Sequence, residues 1–268
     1  MREAKAFYSG PGLNVETYDE RTALAGTAVE GDVEFYLAQA REAGGAILEL
    51  GSGTGRVSLA LARAGFEVVG LDRSEAMIAR AEEKSASLPA PDRARVQFVR
   101  GDMSDFDLGR AFGLVLVPFR AFQALLSPEA QRRSLARVLQ HLAPGGRLVL
   151  DLFDPRLEYC LPDEHRSRME RESVVHPANG HRVTVTVIQR TNDPLNQILS
   201  ERWRFEEIDL DRRQVRVEEE KLVLRWTYRW EARYLLELSG FEVLAEYSDF
   251  RHSPPAYGLE QVWVARRT

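Results

Sequence analysis

The chain has 268 residues, 44% of them hydrophobic, and a formal net charge of −5. That is enough apolar material for one large domain or two small ones, with no overall positive field to draw the molecule onto nucleic acid or an acidic membrane. A single cysteine, Cys160, forbids an intramolecular disulfide, and five scattered histidines give no zinc-ligand spacing, so no metal is expected.

The opening residues, MREAKAFYSGPG, hold no apolar signal core, and no run approaches the roughly 18 apolar residues of a membrane helix. The expectation is a cytoplasmic protein with no membrane partner. Residues 27–43 carry Val29, Val33, Tyr36, Leu37 and Ala40 at helical spacing, ended by the glycines at 44–45. AILELG (46–51) is a short apolar strand, and RVSLALARAG behind it is a helix capped by Gly65. The pattern repeats: EVVGLD is a strand, Ser74 an N-cap, RVQFVRGD a third strand and FGLVLVPF a fourth. Ser127 caps a helix with Pro128 at its first position, and RLVLDLF is the fifth strand. Continuous apolar strands alternating with helices indicate a parallel sheet covered on both faces.

The pattern changes after Pro155. RSRMERESVVH, HRVTVTVIQR, QILSERWRFEEID and VRVEEEKLVLRWTY are strand-like stretches separated by PANG, NDPLN and LDRRQ, all with hairpin chemistry. WEARYLLELSG returns to a helix, and FEVLAEYSDF and LEQVWVARR are two last strands. The expected architecture is α/β, a doubly wound, mostly parallel seven-stranded sheet with an inserted antiparallel β-meander. Residues 1–154 form the core with N-terminal lid helices, 155–228 the insertion, and 229–268 the helix and strands that complete the sheet.

The stretch ILELGSGTGR (47–56) could cradle a pyrophosphate, the methionine end of S-adenosylmethionine, or nothing. A turn of small residues between strand and helix brings backbone N–H groups close to a ligand. Asp72, at the end of the second strand, is placed to accept both hydroxyls of an adenosine ribose. A dinucleotide fingerprint requires a third glycine where Arg56 stands, and Glu49 repels a diphosphate but suits a cationic amino acid end. Bland readings stand beside these: Glu49 as a strand-end carboxylate paired to a neighbour, Met77 as core, Asp102 as a turn former, Phe119 and Phe122 as packing.

ELGSGTGRVSLALARAGFEVVGLDRSEAMIARAEEK, VRGDMSDF and HLAPGGRLVLDLF together resemble the successive motifs of class I S-adenosylmethionine-dependent methyltransferases. The β-meander before the last helix, with YDE at Tyr18 to Glu20, is similar to small-molecule members such as glycine N-methyltransferase and the amino-sugar N-methyltransferases. The resemblance implies the Rossmann-like methyltransferase fold, S-adenosylmethionine as cofactor and S-adenosylhomocysteine as product. It implies that Tyr18 belongs to the cofactor site, that Glu49, Gly51, Ser52 and Gly53 line the methionyl part and that Asp72 binds the ribose. Arg73 and Met77 then flank the adenine, Asp102 bonds its amino group with Met103 beside it, and Pro118 and Phe119 lie near the sulfonium.

Methyl transfer needs alignment and desolvation, and a general base only for a protonated amine or a weakly acidic hydroxyl. Among His141, His165, His176, His181 and His252, the first is expected at a helix end and His176 and His181 in solvent; His252, in the loop SDFRHSPPAYG expected over the carboxyl edge of the sheet, is the candidate base. Tyr8, Tyr18, PFRAFQ, Trp203, Arg225, Trp226, Tyr228 and Arg229 are read as a substrate cover, as core, or as the face of a homodimer. The expected function is methyl transfer to nitrogen or oxygen of a small-molecule acceptor, with no nucleic acid partner. The alternatives are a nicotinamide-dependent oxidoreductase and a non-catalytic S-adenosylmethionine-binding protein.

Overall fold

The computed structural model describes residues 4–156 and 169–268. Seven strands form one sheet: β2 (Ile47–Leu50), β3 (Val68–Asp72), β4 (Val96–Arg100), β5 (Phe112–Val117), β6 (Leu142–Phe153), β11 (Phe241–Tyr247) and β12 (Glu260–Arg267). Their order is β11-β12-β6-β5-β2-β3-β4, parallel from β6 to β4, with β12 antiparallel to β6 and to β11. The expected seven-stranded, mostly parallel sheet is therefore present.

Strand parity decides what each face holds. In β2, Ile47 turns toward α3 (Asp32–Ala43) and α4 (Arg56–Arg63), where it packs with Phe35, Tyr36, Val57 and Leu61. Leu48 and Leu50 turn to the other face, against α7 (Pro128–His141) and α8 (Arg229–Leu238) through Leu135, Val138 and Leu236. Each fully buried leucine contributes about 1.5–3 kcal/mol, so both faces must be covered for the strand to hold. Ser74 caps α5 (Glu75–Ala86) by accepting from Met77 N, and Ser127 caps α7 by accepting from Ala130 N, as their sequence positions predict. The helix expected over 27–43 begins later, at Asp32, because Gly31 sits at φ 85° immediately before it.

The strand order reverses between β2 and β5. At such a switch point the loops after two neighbouring strands diverge and leave a crevice at their carboxyl ends. The loops concerned are the glycine turn after β2 and Pro118–Ala121 after β5.

The inserted stretches pair as predicted into an antiparallel meander of β7 (Met169–Val175), β8 (Arg182–Asp193), β9 (Ile198–Ile208) and β10 (Gln214–Arg225). A fifth strand was not foreseen: β1 (Lys5–Ala6) pairs parallel with β10, Lys5 opposite Glu220. The N-terminal segment is thereby fastened to the insertion. Leu13, in α1 (Leu13–Glu16), packs with Val183, Val185 and Phe205 of the meander. Val15 of α1 and Tyr18 of α2 (Tyr18–Thr22) pack on Met77 of α5. The two short helices thus lie between the second sheet and the carboxyl edge of the first.

Candidate active site

The glycine turn is tied to its neighbour strand, Gly51 and Ser52 N–H both donating to Leu71 O at 2.7 and 3.1 Å. Gly51 has φ 73°, and a Cβ there would stand 2.6 Å from the Ala121 methyl, so this glycine lets the two loops of the switch point touch. Gly53 has φ 54° and open space where its Cβ would be. Its N–H donates to Asp72 Oδ2 at 2.8 Å, and Ser74 N–H donates to Oδ1 at the same distance. Burial raises the Asp72 carboxyl, and these two N–H groups oppose the rise. Ser52 Oγ is buried with no hydrogen-bond partner.

Glu49 is 2% exposed, on the α3 and α4 face of β2, and accepts from the Ser58 hydroxyl. The carboxylate is enclosed between β2 and α4 and paired to a neighbour. Burial pushes it up to about 8, against Ser58 and the nearby Arg56. Arg56 itself is spent on α3, with Nη1 2.8 Å and Nη2 2.5 Å from the Asp32 carboxylate. The residue that replaces a third glycine is a brace between two helices.

Over the turn lies an apolar cluster of Tyr8, Val15, Tyr18, Met77 and Phe119. The Tyr18 ring is 5.8 Å from Tyr8 and 6.3 Å from Phe119. Burial holds the Tyr18 phenol well above its usual range and pushes Tyr8 up to about 12, eased by Arg21. Asp19 anchors this cover to the turn, accepting from Thr54 Oγ1 at 2.7 Å and Lys84 Nζ at 2.8 Å. Glu220 of β10 anchors it to the meander, accepting from Asn14 Nδ2 at 2.5 Å and Tyr8 N–H at 3.1 Å.

Across the crevice, Pro118 is buried, and Phe119 and Arg120 follow it with φ 51° and 63°. Two non-glycine residues in the left-handed region cost about 1–2 kcal/mol each. Both N–H groups donate to Asp151 of β6, and Arg120 pairs with Glu260 of β12. Asp151, Tyr36 and Glu260 were not singled out from the sequence. The available signal was a carboxylate inside the apolar run LVLDLF, on the strand next to PFR.

The remaining candidates separate. Met103 Cε lies 3.5 Å from the Cβ position of Gly51, next to the turn. Arg73 is exposed at the end of β3, and Asp102 is exposed with Oδ1 accepting from Ser104 N at 2.7 Å and Oγ at 2.8 Å. His252 packs on Phe35 and on Tyr247 of the edge strand β11, with ring centroids 5.2 and 4.8 Å away. That strand is separated from β5 by β12 and β6, so the structure does not bring His252 to the glycine turn. His141 is buried at the end of α7, as expected, where Nδ1 bonds Arg137 O and Nε2 lies 3.0 Å from Leu108 N. His176, expected in solvent, is 6% exposed and bonds Glu16. Cys160 and His165 lie outside the described residues. Arg225 is engaged by Gln131, Gln197 and Glu231 and joins the meander to α7 and α8, whereas Trp226 bonds Asn192 within the meander and Arg229 bonds Glu246 within the core.

Residues 47–146 match the family described as methyltransferase domain. The chain is 34% identical over 157 residues to the cypemycin N-terminal methyltransferase of a Streptomyces species, 59% of either chain. It spans about three fifths or less of the length of the curated relatives it matches. Along nearly its whole length it is similar to the CcbJ methyltransferase from Streptomyces caelestis, 25% identical with a TM-score of 0.77 over 99% of this chain and 100% of that one. Its fold is also similar to S-adenosylmethionine-bound CalS10, an amino pentose methyltransferase from Micromonospora echinaspora, 24% identical with a TM-score of 0.68 over 96% and 99% of the two chains. The residues present fit S-adenosylmethionine. Open space over Gly53, an orphaned Ser52 hydroxyl and a buried Glu49 carboxylate suit a ligand with a cationic amino acid end. The glycine turn, the seven-stranded sheet and the match of residues 47–146 to a methyltransferase domain make the chain similar to the class I S-adenosylmethionine-dependent methyltransferases.

Proposed function

We propose that the chain transfers the methyl group of S-adenosylmethionine to a nitrogen of a small-molecule acceptor, with oxygen as the alternative atom. The observation that carries this reading is the meeting of Glu49, Ser52, Gly53 and Asp72 with the Tyr18, Met77 and Phe119 cluster at the switch point. Glu49, Gly51, Ser52 and Gly53 hold the amino acid end, Asp72 the ribose, Arg73, Met77, Asp102 and Met103 the adenine side, and Tyr18, Pro118 and Phe119 the sulfur side. The bound cofactor supplies a methyl activated by a sulfonium, so the chain has only to align an acceptor and exclude water.

Nitrogen is favoured by the comparisons: one relative is named an N-terminal methyltransferase and one structural neighbour an amino pentose methyltransferase. No helix among the described residues is long and apolar enough to cross a membrane.

The test has two stages. Calorimetry with S-adenosylhomocysteine and with NAD(H) should show binding of the first alone; the reverse overturns the reading. Methyl-labelled S-adenosylmethionine is then offered amino sugars, short peptides and hydroxylated analogues without the amine. Label on the amine is expected, label on hydroxyls moves the reaction to oxygen, and binding without product across the set refutes the transferase reading.

A further inference from the structure

The turn after β5 holds two successive left-handed residues that are not glycine, and such backbone persists only where its surroundings over-determine it. The restraints converge on one carboxylate. Phe119 N–H donates to Asp151 Oδ1 at 2.9 Å, and Arg120 N–H donates to Oδ2 at 3.1 Å. The Tyr36 hydroxyl of α3 donates to Oδ1 at 2.6 Å. Successive N–H groups turned to one side form a concavity for an anion, and here the anion is a side chain of the neighbouring strand. Asp151 is 2% exposed, so its bonds to these donors face no competition from solvent.

The clamped turn places three groups at once. It sets the Ala121 methyl on Gly51, the Phe119 ring 6.3 Å from Tyr18, and the Arg120 guanidinium on Glu260 and 5.5 Å over the Phe153 ring. The first two belong to the cofactor side of the crevice and the third to the acceptor side.

On the reading that methyl transfer takes place at this edge, we propose that Asp151 is a positioning residue of the transfer step. It holds the Phe119 and Arg120 turn so that the phenylalanine covers the methyl and the arginine braces the acceptor side. The charged groups facing it are Tyr36 and Asp32 from α3, Glu260 from β12 and Arg120 from the turn; Asp32 is engaged by Arg56, and Glu260 by Arg120. Burial, with Glu260 and Asp32, pushes the Asp151 carboxyl up to about 7. A protonated Asp151 facing two N–H donors must give up one of them, and the turn then loosens.

S-Adenosylmethionine carrying 13C in its methyl, bound to the full chain between about pH 6 and pH 8, reads the turn without an acceptor. The bound methyl resonance is expected to move with a midpoint near 7, to lose that titration in Asp151→Asn, and to titrate at higher pH in Tyr36→Phe, where the carboxylate loses a donor. A resonance flat with pH in the wild type, or the same titration in Asp151→Asn, overturns the proposal. If Asp151→Asn does not fold, Tyr36→Phe decides, and an unmoved midpoint there is equally fatal. Wild-type protein that binds no S-adenosylmethionine overturns the assignment of the site, and the clamp's role falls with it.

Discussion

Binding of the cofactor should expel a proton from Glu49. In the free chain this carboxyl is enclosed against Ser58 and pushed from its ordinary 4.5 up to about 8, so below pH 7 it is neutral. An ammonium seated beside it favours the charged form and returns it toward the ordinary range. Between about pH 5.5 and 7 the ligand's own α-ammonium, with an ordinary pKa near 7.7–8.0, stays charged, so Glu49 is the group of the pair that changes. Each pH unit in that window should then strengthen S-adenosylhomocysteine binding about tenfold, or 1.36 kcal/mol, with about one proton released per site. Calorimetry in buffers of different ionisation enthalpy counts that proton, and Glu49→Gln should abolish both the pH slope and the release. The stability effect has the opposite sense. A carboxyl raised on folding binds protons more readily in the native state, so the unliganded fold loses stability as pH rises from 4.5 to 8, by about 5 kcal/mol from this group, and Glu49→Gln lacks that loss. Affinity independent of pH, with no buffer dependence, would refute the placement of Glu49 beside the ammonium.

Asp72→Ala should weaken S-adenosylhomocysteine binding by about 1.5–3 kcal/mol, the scale of hydrogen bonds to a charged group, and unchanged affinity would remove Asp72 from the ribose. Gly51→Ala and Gly53→Ala should divide their effects. Both lose about 1–2 kcal/mol of stability to a left-handed alanine; the first also drives a methyl into Ala121 and lowers the melting temperature further, whereas the second meets open space and additionally weakens cofactor binding there. Arg225→Met takes a donor from buried Gln131, while Glu231 keeps Gln197 and reaches water, and should cost about 1–3 kcal/mol in urea denaturation.

The strands and caps of the main sheet were legible because their signals are local. A short apolar run such as FGLVLV, a serine three residues before a helical N–H, or a proline at a first helical turn needs no knowledge of the rest of the chain. The same holds for Gly51, Gly53 and Asp72, whose spacing along the chain follows from the strand–turn–helix geometry itself. What escaped depends on contacts between distant segments. Lys5 and Ala6 have no strand pattern of their own and are ordered by β10, more than two hundred residues away. Asp151 reads as an interruption in LVLDLF until β5 and β6 are paired and Phe119 and Arg120 turn their N–H groups toward it. His252 was placed by the loop it occupies, and the loop does lie at the carboxyl edge, but at the edge strand and on the α3 side. The arginines and tryptophans of the insertion look available in sequence because their partners, such as Gln131 and Asn192, sit in other elements.

The inserted sheet fastens the N-terminal segment that lies over the glycine turn, so its loss should disturb cofactor binding as well as turnover. From sequence alone, deletion of residues 160–224 should spare cofactor binding and remove turnover. That deletion takes away Glu218, which accepts from Leu13 N at 2.8 Å, and Glu220, which holds Asn14 and the Tyr8 N–H. It also removes Phe205, Val183 and Val185, on which Leu13 is buried. The segment from β1 to α2 then has nothing to fold against, and Tyr8, Val15 and Tyr18 leave the glycine turn. A narrower perturbation isolates the coupling. Glu220→Ala strands a buried amide and a backbone N–H, each worth about 1–3 kcal/mol when unsatisfied, while leaving the seven-stranded sheet intact. Stopped-flow displacement of S-adenosylhomocysteine should show dissociation at least about tenfold faster, since 1.4 kcal/mol lost from the cover is a factor of ten. Equal dissociation rates for Glu220→Ala and the wild type would mean that the cofactor is held by the turn alone, and that the parallel pairing of β1 with β10 serves the fold without touching the ligand.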